Sequence, residues 1–255
     1  MKNFMIILLC VSLGILSACS IIGNTGKSKM LIKDIAYKHQ KQNESEYTVY
    51  LQEKDSLEPY LVLTSDYNGS VLLMRKYVWD DLVYYSEEKS QGTRGGYYPA
   101  SNVDKYLNTI FFSALSLELQ NKILDTAISV VDFDSMGKGG GRVETEIIQR
   151  KIFLLSASEM NISSGMSATE GKRLNYFKNE SRYIATYKNG IAEAYWLRST
   201  YLWDDIQGWS IGSDGYYGGS SVSSEYALRP LFCLSCDTII CEKKVDRKTI
   251  YVISE

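Results

Sequence analysis

Short segments in which apolar and polar residues alternate recur from about residue 47 onwards, and each predicts a β-strand. The segments with this pattern, or with a short apolar run of strand length, are 47–51, 60–64, 71–78, 128–133, 152–155, 194–199, 208–212, 226–234 and 249–253. Asp66-Tyr67-Asn68-Gly69 separates the second segment from the third and is typical of a hairpin turn.

Two further segments have helical spacing. Ser101-Asn102-Val103-Asp104 predicts the start of the first helix, because a serine and a carboxylate three residues later can bond free backbone amides. The apolar face of this helix comprises Val103, Tyr106, Leu107 and Ile110. The second helix is predicted over 117–126, and the residues facing the core are Leu119, Ile123 and Leu124. Ser156 and Glu159 form another capping box, which predicts a short third helix.

Strands outnumber helices and do not alternate regularly with them, which predicts the α+β class. We expect a twisted, mostly antiparallel sheet with two main helices. Long loops rich in glycine and aromatic residues, at 84–99 and 201–221, join these elements. Such loops suit ligand recognition, and they equally suit packing on a core.

An apolar run from Phe4 to Leu16 precedes the predicted strands; it has the length of a signal-peptide core and is too short to span a bilayer. Leu16-Ser17-Ala18-Cys19 overlaps its end and resembles the lipobox of bacterial lipoproteins, in which a diacylglycerol is attached to the cysteine. The resemblance implies a signal peptide at 1–18, a lipidated Cys19 and a place on the extracytoplasmic face of the cell membrane. The alternative is an ordinary secretory signal with an incidental cysteine.

Residues 19–45 are polar, lysine-rich and weakly periodic, so we expect a tether there and a single α+β domain over 46–255. No second apolar run reaches spanning length, so the lipid on Cys19 is the expected membrane attachment. The net charge is −2 and both signs are mixed along the chain, without a basic stripe. This charge pattern argues against nucleic acid as a partner.

Three cysteines fall in the predicted domain: Cys233, Cys236 and Cys241. A zinc site would need a fourth ligand, and the single histidine of the chain, His39, lies in the predicted tether. The pattern favours buried strand cysteines, with a disulfide between Cys236 and Cys241 if any pair forms. We therefore predict neither a metal site nor a cofactor.

Two catalytic motifs are incomplete. Gly208-Trp209-Ser210-Ile211-Gly212 fits a nucleophile elbow, but no histidine follows Ser210 to complete a triad. Residues 23–28 resemble the end of a phosphate-binding loop, but Ile21 stands where that motif requires its first glycine.

Carboxylates and tryptophans cluster in the last third of the chain. The residues of this candidate binding site are Trp203, Asp204, Asp205, Trp209 and Asp214. Carboxylates beside aromatic rings suit sugar binding, calcium binding or glycoside hydrolysis, although no Asp-x-Asp-x-Asp calcium loop is present. The alternative is a solvated loop without a ligand.

Several motifs occur together in a characteristic order. They are Ser101-x-x-Asp104-Lys105-Tyr106-Leu107-Asn108, Lys151-Ile152-Phe153-Leu154-Leu155-Ser156-x-x-Glu159, Tyr195-Trp196-Leu197-Arg198-Ser199, Asp214-Gly215 and Leu228-Arg229-Pro230-Leu231. Over about residues 60–235 they resemble a bacterial domain family of unknown function, the six-two-seven-three domain, which implies no established activity. Residues 194–232 are more loosely similar to C-type-lectin-like and formylglycine-generating-enzyme folds, which implies an architecture and no catalytic residue.

Trp196 and Arg198 lie two residues apart and share one face of their predicted strand. A buried arginine needs carboxylate or carbonyl partners. We therefore expect Trp196, Arg198 and Arg229 to be structural, with each arginine fixing loop backbone or an aspartate such as Asp214.

These patterns together predict a membrane-anchored, extracytoplasmic lipoprotein whose domain is a non-catalytic binding or display module at the cell envelope, with a glycan or a protein as its ligand. Two alternatives stay open. One is a carboxylate-dependent extracytoplasmic hydrolase that acts on glycans, and the other is a structural or assembly lipoprotein. Two carboxyl groups about 5–10 Å apart across a cleft would favour the hydrolase.

Overall fold

The computed structural model describes residues 30–139 and 143–254. The predicted signal peptide and Cys19 lie outside the described residues. The strands are β1 Met30–Leu31, β2 Thr48–Gln52, β3 Leu57–Tyr67, β4 Ser70–Arg75, β5 Val83–Tyr84, β6 Thr126–Val131, β7 Thr145–Arg150, β8 Ala185–Thr186, β9 Ala192–Glu193, β10 Tyr195–Thr200, β11 Gln207–Ile211, β12 Tyr217–Ser221, β13 Glu225–Tyr226, β14 Leu231–Leu234, β15 Ile239–Val245 and β16 Lys248–Ile253.

The helices are short. The α-helices are α1 Asn102–Tyr106, α2 Phe112–Ala114 and α3 Leu117–Lys122, and a π-helical segment, Leu107–Phe111, joins the first two. The 3-10 turns are Ile32–Ile35, Glu44–Tyr47, Tyr98–Ala100, Phe133–Ser135, Asn175–Lys178 and Glu180–Arg182. None of the helices in the described residues is long and apolar enough to cross a bilayer.

Seven of these strands form one sheet in the order β1-β15-β16-β2-β3-β4-β14, and β10, β11 and β12 form a second, smaller sheet. The pairs are antiparallel except that β16 runs parallel to β2. The remaining strands form two-stranded ladders. The predicted α+β class with a mostly antiparallel sheet is confirmed.

The hairpin between β3 and β4 forms where the sequence predicts it, since Tyr67 pairs with Ser70. Asn68 and Gly69 have φ angles of 52° and 81°, so both central residues occupy the left-handed region of a type I′ turn. Asparagine and glycine are the residues that tolerate this conformation most readily. The turn chemistry therefore explains the register of the two strands.

The first helix begins as predicted, because the Ser101 hydroxyl accepts a hydrogen bond from the backbone N–H of Asp104 at 3.0 Å. Its apolar face differs from the prediction near the end. The π-helical segment turns Phe111 into the core and leaves Ile110 52% exposed. A wider turn shifts every later side chain around the axis, which a regular helical spacing cannot anticipate.

The other two predicted helices are shorter than expected. α3 ends at Lys122, and Leu119 and Ile123 are buried as predicted. At Ser156 the capping box forms, but residues 157–161 make a turn instead of a helix. The carboxylate of Glu159 has a second partner there, which is described below.

The predicted tether is wrong from residue 30 onwards. β1 pairs with β15, and the 3-10 turn that follows it buries Ile32 and Ile35 in the main core. Tyr37 also lies in that core, and its backbone N–H donates to Val62 O at 2.8 Å. The apolar segment is only a few residues long, so its composition resembles a polar linker even though its side chains are buried.

The predicted disulfide between Cys236 and Cys241 does not form. Cys236 is a thiol whose Sγ lies 3.4 Å from Gly69 O, and Cys241 lies in β15, opposite Val252. Cys233 is a buried thiol in β14, as the strand interpretation predicts. β15 itself was not predicted, because three consecutive charged residues, Glu242, Lys243 and Lys244, interrupt its alternation.

We predict that Ile32→Ala destabilises the protein by about 2–5 kcal/mol, because the side chain is fully buried. Lys38→Ala, an exposed site six residues later, serves as the control and should leave stability within about 0.5 kcal/mol. Urea denaturation of both variants tests this. If Ile32→Ala and the unchanged protein unfold at the same urea concentration, Ile32 does not stabilise the core, and residues 30–37 belong to the tether as first predicted.

Candidate functional site

The three aspartates of the predicted binding site hold loop backbone. Asp204 accepts hydrogen bonds from the backbone N–H of Ile206 at 3.2 Å and from the side-chain amides of Gln91 and Gln207. The buried Asp205 accepts from the backbone amides of Gly92 and Arg94. Asp214 accepts from the backbone N–H of Tyr216 at 2.9 Å and so fixes its own turn. These contacts order the two long loops.

The two tryptophans of that site have different environments. Trp209 is buried, donates from Nε1 to Met166 O at 3.2 Å and packs between the rings of Tyr201 and Tyr217. Trp203 is 60% exposed. None of the cavities described below is lined by any of the five predicted residues. These five residues therefore line neither cavity, and their role in ligand binding stays a prediction.

Arg198 lies at the centre of a buried polar network. Its five N–H donors make five hydrogen bonds, at 2.6–3.1 Å, and the acceptors are both carboxylate oxygens of Glu159 and the backbone oxygens of Ser129, Leu154 and Glu170. Neither Arg198 nor Glu159 has any exposed side-chain surface. Burial is the largest single influence on the pKa of Arg198 and lowers it, but the combined effects of Glu159, Tyr67 and Glu170 outweigh burial, and the net shift is upward.

Glu159 joins three parts of the chain. Its carboxylate accepts from the backbone N–H of Ser156 at 2.9 Å, from Arg198 and from the hydroxyl of Tyr67 at 2.6 Å. Gly171 passes so close that a Cβ there would lie 2.7 Å from Glu159 Oε1, and its φ of 148° also favours glycine. Burial, and then the carboxylate of Glu159, raises the pKa of Tyr67 well above its ordinary value.

Glu170 is a second buried carboxyl group next to this pair. It accepts a hydrogen bond from the backbone N–H of Val131 at 3.1 Å and another from the hydroxyl of Ser199. Burial raises the pKa of Glu170 to about 7, although the nearby Arg198 acts in the opposite direction. The group therefore titrates near neutral pH.

Arg229 also bonds backbone: its guanidinium donates to Arg75 O and Lys76 O, both at 3.3 Å. Trp196 is fully buried and donates from Nε1 to Val83 O at 2.8 Å. Both arginines therefore bond backbone oxygens, which is the first of the two kinds of partner predicted from the sequence, whereas Asp214 bonds its own turn.

A cavity of about 580 Å³ lies over this network. Glu170 and Gly171 line it beside the apolar residues Leu63 and Leu174 and the ring of Tyr67. The hydrogen-bonding groups of Arg198 and Glu159 beneath it are occupied by protein partners, so this ion pair supports the cavity wall.

A larger open cleft of about 730 Å³ has a polar lining. Its walls are the first helix and the segments at 86–88, 99–100 and 149–151. At its floor Asp104 is paired with Arg150, with Nε and Nη2 both 2.8 Å from Oδ2, and it also accepts from Asn108 at 3.1 Å. Burial raises the pKa of Asp104, against the opposing effect of Arg150.

The cleft combines donors and acceptors with a little apolar surface. Lys105 and Lys151 are cationic, Glu88 and Asp125 are anionic, and Phe112 supplies an aromatic ring that Lys151 approaches at 5.5 Å. Such a lining suits a polar, extended ligand that makes many hydrogen bonds. Within the part of the chain that the structure describes, no group of three His, Cys, Asp or Glu residues could hold a metal ion.

The sequence pattern did not identify this cleft. Asp104 was interpreted only as the third residue of a helix, whereas its side chain pairs with Arg150, 46 residues later. The one signal in the sequence is that Asp104 lies close to Lys105 and Asn108 on a short helix, which groups polar side chains on its surface. This signal does not identify Arg150 as the partner of Asp104.

Glu170 gives the protein a pH-dependent stability. Because its pKa in the folded state, about 7, exceeds the ordinary value of 4.5, the stability that it confers is complete below about pH 4.5. That stability is lost as pH rises through 7, by at most about 3 kcal/mol. We predict that Glu170→Gln flattens this decline, measured by thermal unfolding at pH 5 and pH 8.

Glu118→Gln removes an exposed carboxylate from α3 and is the matched control. Its unfolding should follow the pH dependence of the unchanged protein. Parallel pH profiles for Glu170→Gln and Glu118→Gln would show that Glu170 does not carry the effect.

Comparison with known proteins gives one match. The family model described as "Domain of unknown function (DUF6273)" matches residues 68–236, which contain Arg198, Glu159, Glu170 and the walls of the open cleft. No curated protein and no solved structure matches the chain, so the similarity to lectin-like folds stays a prediction. The match covers well over half of the chain and confirms the resemblance seen in its motifs, so this protein belongs to the DUF6273 family.

Proposed function

We propose that this protein is a lipoprotein, anchored through Cys19 to the extracytoplasmic face of the cell membrane, whose domain binds a polar ligand in the open cleft. The anchor is supported by the apolar run that ends in Leu16-Ser17-Ala18-Cys19. The first residue that the structure describes, Met30, follows this cysteine by eleven positions. A short connection of this kind would hold the domain close to the membrane surface.

The observation that carries the binding function is the cleft of about 730 Å³ with a charged floor. Its volume is within the range of sites for small molecules or short oligomers. Its lining presents both signs of charge and amide groups, which match the hydroxyl groups of a glycan or the backbone of a protein segment. The ligand class is therefore a glycan or an extended peptide.

The contacts of the buried carboxylates Glu159 and Asp104 favour binding over hydrolysis. Both oxygens of Glu159 bond protein groups, and Asp104 is held by Arg150 and Asn108. A general acid must donate a proton to the substrate, and a nucleophilic carboxylate must contact the substrate. A carboxylate that is already bonded to an arginine and an amide is poorly placed for either role.

The anchor is tested by metabolic labelling with a palmitate analogue. We predict that the unchanged chain takes up label and is recovered in the membrane fraction, whereas Cys19→Ala does neither, because the thiol is the site of attachment. Cys236→Ala is the control for a partly exposed thiol and should label like the unchanged protein. Equal labelling of Cys19→Ala would reject the lipobox.

The cleft is tested with a substitution that fills it. Ala100 lies exposed on the cleft wall, so we predict that Ala100→Trp weakens binding to immobilised oligosaccharides or peptides at least tenfold without changing the melting temperature. Ser113→Trp, exposed on α2 and outside the cleft, is the control and should bind normally. If both variants still bind the array, the ligand binds outside the cleft. If the unchanged protein hydrolyses a glycan of the array and Asp104→Asn does not, the hydrolase is supported instead.

A further inference from the structure

The hairpin formed by β15 and β16 extends beyond the main sheet. β15 pairs with β1 at Ile239 and Ile240, and β16 pairs with β2 at Tyr251 and Val252. From Lys243 to Ile250 the two strands pair with each other, and among the described residues no third strand joins them. The outer half is therefore a projecting two-stranded ribbon.

This ribbon is basic, although the whole chain has a net charge of −2. Its cations are Lys243, Lys244, Arg247 and Lys248, and its acids are Glu242 and Asp246, which leaves a net charge of +2 over seven residues. All six side chains are exposed. None of the ion pairs between described residues involves the four cations. Their charge is therefore available to an external anion.

The turn at the end of the ribbon has an unfavourable residue. Asp246 and Arg247 have φ angles of 46° and 68°, which makes a type I′ turn. Glycine is the favoured second residue of this turn, because a side chain is strained in the left-handed region. An arginine here places a cation at the outermost point of the ribbon at some cost in local stability.

The direction of β1 relates its first residue, Met30, to the same end of the sheet. β1 is antiparallel to β15, with Leu31 opposite Ile239 and Met30 opposite Ile240. Followed backwards from Met30, β1 therefore points along β15 towards the turn at Asp246 and Arg247. Cys19 precedes Met30 by eleven residues, which span at most about 40 Å when extended.

We propose that the tip of this ribbon docks on anionic phospholipid headgroups of the membrane that carries the anchor, and so orients the domain. The proposal rests on the lipid anchor proposed above. An anchored chain keeps the ribbon close to the headgroups, so even a weak charge interaction is populated. The attraction acts within about one Debye length and falls with added salt.

The test uses residues 19–255 with Cys19→Ser, which retain every described residue and lack the acyl group. We expect this protein to sediment with vesicles that contain phosphatidylglycerol and not with vesicles of phosphatidylcholine alone, and to be released by 0.5 M salt, a concentration chosen as about three times physiological ionic strength. Each cation near the surface is worth about fivefold in affinity. Lys243→Gln with Lys244→Gln should therefore weaken binding about 25-fold.

Arg247→Gly tests whether a loss of vesicle binding is due to the lost charge or to a less stable fold. It removes one cation and relaxes the strained turn, so binding should weaken about fivefold while the melting temperature stays the same or rises. Lys54→Gln is the matched control, because this exposed lysine follows β2 at the opposite end of the sheet, and it should bind like the unchanged protein.

Three results would overturn the docking proposal. The first is that the protein binds vesicles with and without phosphatidylglycerol equally, and the second is that the ribbon variants bind as tightly as the unchanged protein. The third is that the protein binds soluble polyphosphate as tightly as anionic vesicles, which would make a free phosphate polymer the partner. Palmitate labelling is measured separately, on the full chain with Cys19 intact. If that chain is labelled but the Cys19→Ser protein fails to bind anionic vesicles, the docking alone is rejected, and an unlabelled full chain rejects the anchor.

Discussion

The bidentate pair between Arg198 and Glu159 is the interaction on which the interior depends. Arg198 lies in β10 of the smaller sheet, and its guanidinium also bonds the backbone of β6, of the segment after Phe153 and of Glu170. Glu159 connects the same centre to the β3–β4 hairpin through Tyr67. A buried charge needs this complete set of partners, because an unpaired guanidinium in the core would cost several kcal/mol. The network therefore fixes how the two sheets and the loops between them pack.

This dependence determines where function can be located. Glu170 and Tyr67, two groups with perturbed ionisation, are hydrogen-bonded within the core, and burial is the largest cause of both pKa shifts. Perturbed groups often mark active sites, but structural ion-pair networks perturb them equally. The two surfaces proposed for interaction, the open cleft and the projecting ribbon, carry charged side chains outside this network.

Local signals predicted local structure well. Asn68-Gly69 predicted a type I′ turn, and Ser101 and Ser156 predicted caps, because each of these depends on neighbours within three residues. Contacts between distant residues were not predictable. Glu159 was identified as a capping residue but not as the partner of Arg198, and the π-helical turn that buries Phe111 depends on the core around it. The cleft was not predicted for the same reason, because its floor depends on the contact between Asp104 and Arg150, which are far apart in the sequence.

The two proposed surfaces are compatible in one orientation. The helix that forms a wall of the cleft ends beside the β2–β3 turn, where the backbone N–H of Lys54 donates to Ala114 O at 2.7 Å. Because β16 runs parallel to β2, this turn lies at the end of the sheet opposite the ribbon tip. A domain that rests on the membrane through the ribbon therefore directs this end away from the bilayer. A cleft held in that position would be accessible to glycans or proteins outside the cell, whereas a domain on a free tether would have no preferred face.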